Sequence, residues 1–333
     1  MITTYTFWNS FRNCRKACEW RYLNNLVPLR RDQHLAFGSL IHSCLKIWHG
    51  GGGSDRVLDF IDRSLPNRSR DESQKAEWHL ARAMMMGYVA RYPVENFEIV
   101  SLETVFGGKI INPATRASSR SFTIAGRVDG IVRMRDTGEY YLLEHKTASQ
   151  LDGEYLERLW TDLQVSLYAH YIEQCLGIEI AGVIYNVLVK AKLQQGKGET
   201  QKEFEARRAE LLSKSKTGKT TATRKAPESD EVFQARLAAK YSEREMFYRE
   251  MLRLSRDQFD AMKTDLWELT QQFLHSRRRG MFCRNTSYCF ANHRQCAYFP
   301  LCSSSGSEKV IANLYERRPP HEELLVGEQG VDR

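Results

Sequence analysis

Hydrophobic residues recur along this chain with two periods, and the switches between them mark out its elements. Phe7, Phe11, Cys14, Cys18 and Tyr22 fall at helical spacing and predict a helix over residues 5–26. Phe37, Leu40, Ile41, Cys44, Leu45 and Trp48 form a second stripe, giving a helix over 35–49. A glycine run at 50–54 ends that helix. Residues 55–92 read as two helices, with Met84, Met85 and Met86 as core packing. The period then shortens to two. Phe97, Ile99, Leu102, Val105 and Phe106 predict strands over 97–111, and a polar turn follows at 112–120.

Next comes a hairpin. One strand runs over 124–134, and Arg135-Asp136-Thr137-Gly138 forms the turn. The other runs over 139–146, through the core by its Tyr and Leu content. A helix over 153–175 ends at Gly177, a natural C-cap. Residues 178–190 form a buried strand, and 243–253 a strand or helix. Ser255 and Gln258 make a capping box for a helix from 256 to about 276. Met262, Leu266, Leu269 and Phe273 are its apolar face, and Arg277, Arg278 and Arg279 close it. The order of helices, strand, hairpin, helix and strand predicts an α/β fold with a central mixed sheet flanked by helices. Residues 191–231 interrupt it as a polar, basic, mobile insertion, and 303–333 read as a mobile tail.

Charge adds a candidate partner. The 333 residues carry a formal net charge of +8, with Lys and Arg concentrated after Lys190. That sign suits nucleic acid, although ordinary solubility charge gives the same sum. The insertion fits a solvated loop and a DNA contact equally well. No apolar run reaches membrane-spanning length, and the N-terminus lacks the apolar core of a signal peptide. The expected location is cytoplasmic. Eight cysteines in such a chain favour metal or cluster ligation over disulfides. Gly218-Lys219-Thr220 lacks the earlier glycine of a phosphate loop and follows no strand, which excludes an ATP site of that kind.

The candidate chemistry sits where the second hairpin strand ends, in Glu144-His145-Lys146. Alternation puts Glu144 and Lys146 on one side and His145 on the other, and Asp129 on the preceding strand reaches the same region. Two carboxylates and an ammonium at the end of an apolar strand must pair or bind a metal. A hard divalent ion suits such oxygens, and a salt bridge from Lys146 to Glu144 or Asp129 is the plainer reading. His42 lies off the centre of its helix stripe. Gln164 and Tyr168, four apart, share a helix face. They could hold a phosphate, position the carboxylate, or form a polar helix edge. Glu103 is either an exposed strand residue or a support for the site.

Gly126, Asp129, Glu144, Lys146, Gln164 and Tyr168 together resemble the PD-(D/E)XK nuclease superfamily, specifically its RecB-like branch. Phe37-Gly38-Ser39-Leu40-Ile41-His42 resembles the G-x-x-x-H element of that branch. The resemblance implies a restriction-endonuclease-like core in one domain over 1–302, with the catalytic part at about 95–190. It implies Mg2+ or Mn2+ held by His42, Asp129, Glu144 and the backbone carbonyl of His145. Lys146 would orient the attacking water, and Gln164 and Tyr168 would hold the strand. Asn13-Cys14-Arg15-Lys16 and the segment 283–302 are similar to the 4Fe–4S clasp of some members. The implied ligands are Cys14, Cys289, Cys296 and Cys302. Arg15 replaces a common Pro, and the gap between Cys289 and Cys296 is wide. Cys18 competes with Cys14, Cys283 is spare, and zinc on some of Cys283, Cys289, His293, Cys296 and Cys302 is the alternative. The implied activity is DNA exonuclease action in recombination or end processing, with a recombination or helicase partner. A DNA-end-binding accessory subunit and an endonuclease are the alternatives.

Overall fold

The computed structural model describes residues 1–29, 33–65, 72–291, 294–321 and 324. Strand β1 (Ile2–Thr3) leads into helix α1 (Tyr5–Asn13), capped by the Thr4 hydroxyl, which accepts the Phe7 N–H at 3.2 Å. The helix expected to run on to residue 26 stops at Cys14, where the backbone is extended. Tertiary contacts outweigh the helical period there. Lys16 N–H donates to the Cys283 carbonyl at 3.1 Å, and the Asn285 amide donates to the Asn13 carbonyl at 2.8 Å. A short helix α2 (Arg15–Cys18), a wide turn at Glu19–Leu23 and strand β2 (Leu26–Pro28) follow.

Helices α3 (Gln33–His49), α4 (Gly53–Ser64) and α5 (Glu72–Arg91) match the expected helices. Strands β3 (Phe97–Ile111), β4 (Ser118–Met134) and β5 (Tyr140–Ala148) follow, β4 starting six residues before the predicted strand. The helix expected over 153–175 is two helices, α6 (Gly153–Leu159) and α7 (Leu163–Leu176). Asp162 divides them, because its carboxylate caps α7 by accepting the Gln164 N–H at 2.9 Å. Strand β6 (Ile180–Val189) completes the centre of the sheet.

The insertion is more ordered than its composition suggests. It holds helix α8 (Gln201–Lys214), opened by a Thr200/Glu203 capping box, and leads to α9 (Asp230–Tyr241). Then come strand β7 (Phe247–Arg253), resolving the strand-or-helix alternative, and the long helix α10 (Arg256–Arg279) with its expected capping box. Helices α11 (Phe299–Ser303) and α12 (Glu308–Leu314) and strand β8 (Tyr315–Arg317) close the chain. The tail expected from residue 303 is therefore structured as far as His321. β8 pairs antiparallel with β2, and the buried His321 ring stacks on Tyr22 at 5.4 Å. Residues 322–323 and 325–333 of that tail lie outside the described residues.

The main sheet has six strands: β3-β4-β5-β6-β7 in order, with β1 parallel to the start of β4. β4 pairs antiparallel with β3 and β5, β5 parallel with β6, and β6 antiparallel with β7. One face packs α1, α7 and α10 around Phe7, Phe122, Leu142, Tyr185 and Phe273. The other packs α3, α4, α5 and α9 around Ile41, Met84, Tyr88 and Phe247. Helices on both faces of a mixed sheet are the expected α/β architecture. Among the described residues no helix is long and apolar enough to cross a membrane.

Candidate active site

The site forms where the sheet splits. β4 and β5 pair from Arg133↔Tyr140 to Gly130↔Leu143, and the ladder ends there. β5 stays with β6 as far as Ala148, while the start of β4 turns to β1 through Thr123 and Ile124. Asp129 and Glu144 are the first residues beyond the last β4–β5 pair. Asp129 Oδ2 accepts the backbone N–H of His145 at 2.8 Å, replacing a ladder bond with a carboxylate contact. Its Oδ1 lies 3.2 Å from His42 Nδ1. Helix α3 therefore brings its off-stripe histidine to the strand opening.

Glu144 and Lys146 point to the face covered by α7. Lys146 Nζ donates to Glu144 Oε1 at 2.6 Å and to Gln164 Oε1 at 3.2 Å. Gln164 Nε2 donates to the same Glu144 oxygen at 3.1 Å. The amide thus uses both ends on the site's own charges. Tyr168, one turn along α7, is buried against Phe106, with ring centroids 4.9 Å apart. Burial pushes its phenol pKa up, and Gln164 hydrogen-bonds it. Gly126 faces Phe106 in the ladder. A Cβ there would come within 2.8 Å of the Phe106 ring, so this glycine serves packing.

Electrostatics follow from burial and pairing. Burial works to raise the Asp129 pKa, but the charges and hydrogen bonds of His42 and His145 hold it far below the usual carboxylate range. For His42, burial opposes the charged ring, and Asp129 overcomes it to raise the pKa. Burial raises Glu144, against the pull of Lys146 and with the push of Asp129. Burial also works against the Lys146 ammonium, and Glu144 more than restores it.

His145 turns to the opposite face. Asn186, its partner across the β5–β6 ladder, donates to His145 Nδ1 at 3.0 Å and to the Tyr88 hydroxyl at 3.1 Å. Arg249 donates to Tyr88 at 3.0 Å and pairs with both oxygens of Glu95. His49 stacks on His145 at 5.4 Å and meets Tyr88 at 3.1 Å. This buried network braces the strand end from behind. Sequence reading missed it, because its members are scattered over α3, α5, β6 and β7. Asp162 was missed too: it caps α7, and the Tyr5 and Tyr185 hydroxyls donate to it at 3.4 and 3.3 Å. The T-D-L-Q run at 161–164 carried the capping signal.

Burial pushes His49 down to about 4, helped by Arg249, and His170 down to about 4, helped by Lys263. Folded pKa values below the unfolded ~6.5 mean that the unfolded chain binds more protons between these limits. Stability from neutral histidines is present above pH ~6.5 and lost as pH falls toward 4. His49 alone contributes about 3 kcal/mol to this window. Denaturant midpoints measured from pH 7 to 4.5 should fall, and His170→Gln should shallow the slope.

Glu103 is neither exposed nor unpaired. It is a non-glycine residue at φ 51° within β3, alongside Asp129, and its carboxylate pairs with Arg127 Nε at 2.9 Å. Burial raises its pKa, against Arg127.

The ends of the chain meet at the cysteines. Cys14, Ala17, Leu26, Tyr298, Leu301 and Tyr315 form an apolar cluster, with Cys296 packed against it. Asn285 N–H points to Cys14 Sγ at 3.5 Å, and Cys296 N–H donates to the Cys289 carbonyl at 2.7 Å. Burial pushes the Cys296 thiol up, and the charges of Cys14, Cys289 and Cys302 push it further. Cys18 is elsewhere, buried in the main core with Phe7, and Cys283 is exposed. His293 lies outside the described residues. Among the described residues no three His, Cys, Asp or Glu side chains are already arranged to cage a metal ion. At the sheet opening the carboxylates are instead turned onto His42 and Lys146.

The family model of the PD-(D/E)XK nuclease superfamily matches residues 4–303, which takes in every element from α1 to α11. A comparison with curated proteins gives no match.

Proposed function

Because the chain belongs to the PD-(D/E)XK nuclease superfamily, we propose that it is a divalent-metal-dependent deoxyribonuclease working from DNA ends. The observation that carries this reading is the convergence of Asp129, Glu144, Lys146 and Gln164 beyond the β4–β5 ladder, with His42 on Asp129. An imidazole, two carboxylates and the carbonyl of His145 are the donor set a Mg2+ or Mn2+ ion would take, once the carboxylates turn from their present partners. Bound there, the ion supplies Lewis acidity toward a phosphoryl oxygen and lowers the pKa of a water.

The protein's own groups do the rest. Lys146 spends two donors on Glu144 and Gln164, leaving a third for a phosphate oxygen or the attacking water. Gln164 fixes that ammonium, and the Asp162 cap fixes Gln164. The His145 N–H holds the Asp129 carboxylate, and the Asn186–Tyr88–Arg249 network holds His145. Such bracing keeps charges preorganised against the phosphate. End-labelled linear DNA beside a covalently closed circle, with Mg2+ or Mn2+, tests the reading. Cleavage of the linear form alone is expected. Cutting of the circle makes it an endonuclease, and binding of ends without cutting makes it an accessory subunit.

Cys14, Cys289, Cys296 and Cys302 would supply the four thiolates of a 4Fe–4S cluster stapling the two ends of the domain, once their side chains turn toward one another. The support is that Cys14 and Cys296 pack into one apolar cluster with Tyr298, Leu301 and Tyr315, and that the Cys296 N–H donates to the Cys289 carbonyl at 2.7 Å. Metal analysis of protein purified without oxygen should give four irons per chain, with Cys296→Ser losing them and melting at lower temperature. Zinc in place of iron would favour the local alternative.

A further inference from the structure

We infer that the insertion between β6 and α9 is an ordered basic arm that grips the phosphodiester backbone of the nucleic acid entering the site. The inference rests on the nuclease reading for its substrate class.

The arm starts at the catalytic end of the sheet. Val189, the last residue of β6, pairs with Ala148, two residues beyond Lys146, and Lys190 N–H donates to the Ala148 carbonyl at 2.8 Å. Ala191 N–H then donates to the Tyr241 hydroxyl at 3.1 Å. The Lys190 ammonium lies over Phe37 at 4.5 Å, at the start of the helix that carries His42. The root of the arm and the candidate active site therefore share one end of the fold.

The arm is built to hold its shape. Its two legs are tied by Gly196 and Glu228, whose backbones and side chain exchange bonds at 2.8 Å, and by Glu199 N–H to the Lys225 carbonyl at 3.0 Å. Glu199 takes Arg207 at 2.5 Å and the Lys225 N–H at 3.0 Å. Only the root, through Ala191 and Leu193, packs against the core; α8 itself buries no residue.

Its charge is directed outward. Residues 190–225 carry eleven Lys and Arg against four Glu. All four carboxylates are engaged locally: Glu199 by Arg207, Glu203 by Thr200, Glu205 by Gln201 and Glu210 by Lys214. Lys202, Arg208, Lys216, Lys219 and Arg224 are exposed and form no ion pair among the described residues. Lys216, Gly218 and Lys219 form the tip, turned by Gly218 at φ +61°. At ~1.5 Å per residue, the fourteen residues of α8 span about 20 Å between Gln201 and the tip side of the arm, the rise of about six base pairs. An arm with uncancelled cations, a helix that buries nothing and a root beside the candidate active site suits a polyanionic strand.

The test is binding by the full chain, in metal-free buffer so that nothing is cut. Anisotropy of labelled single-stranded and duplex oligonucleotides of about 30 residues is read across salt concentrations. The triple variant Lys216→Ala/Lys219→Ala/Arg224→Ala should weaken binding about tenfold or more and lower the salt slope by about two to three. Lys216→Arg/Lys219→Arg/Arg224→Lys should keep the wild-type slope. The larger loss, on single strand or duplex, identifies which form the arm grips. Cleavage of oligonucleotides about five residues long, too short to reach the tip, should be unchanged in the triple variant. Equal slopes for wild type and triple variant would overturn the inference. Wild type that binds with a steep slope but cuts nothing would sink the nuclease reading and leave the arm standing.

Discussion

Lys146→Met is expected to lower single-turnover DNA cleavage by about 1,000-fold while leaving the protein folded. The ammonium sits 2.6 Å from Glu144 and 3.2 Å from Gln164, with one donor left to face a phosphate. Removing a preorganised donor aimed at developing charge costs about 100- to 1,000-fold, and losing its hold on a metal-binding carboxylate adds to that. The stability cost should be smaller, about 1–2 kcal/mol, since Gln164 still satisfies Glu144 at 3.1 Å. Lys146→Arg should recover little activity, because a planar fork cannot reproduce a compact three-donor head. Rates on end-labelled DNA with Mg2+, alongside thermal melts, read both effects. A loss below about tenfold would remove Lys146 from the chemistry.

Gly182→Ala is expected to destabilise the fold by about 3 kcal/mol or more, although the residue is remote from the chemistry. Its Cβ would overlap the Leu252 carbonyl oxygen and lie 2.9 Å from the Tyr141 ring and 3.0 Å from Arg253 Cα. A backbone carbonyl on a paired strand cannot swing aside, so β7 must move from β6. Arg249, on β7, would carry its hold on Tyr88 and Glu95 with it. Gly126→Ala should cost less, because its added Cβ meets only the tip of the Phe106 ring, which can shift. Denaturant midpoints of the two variants give the comparison, and equal losses would show that ring and backbone yield alike.

The elements legible in the sequence were those whose period matched their burial. The stripe of α3, the alternation of β3 and the capping box of α10 all matched their predictions, because one face of each meets the core. Where local and tertiary demands diverged, prediction failed. The apolar spacing through Cys14 is helical, but the chain breaks there to meet Cys283 and Asn285 from the other end. A helix over 153–175 fits the pattern, yet the Asp162 cap takes precedence over the period. The insertion and the tail read as mobile from composition alone. Their order comes from contacts 26 to nearly 300 residues apart, such as Glu199 with Lys225 and Asn24 with Arg317.

By itself the sequence determined the α/β class, the family resemblance and the residue types at the strand end, since spacing along one strand and one helix turn is local. Only the tertiary structure decided how those residues meet. It ended the β4–β5 ladder at Gly130 and Leu143, brought His42 across to Asp129, and set Gln164 between Glu144 and Lys146. It also assembled the buried brace of His49, Tyr88, Asn186 and Arg249 from four separate elements. The reason is physical: buried charges must find partners wherever the packed chain supplies them, and sequence distance does not constrain that choice.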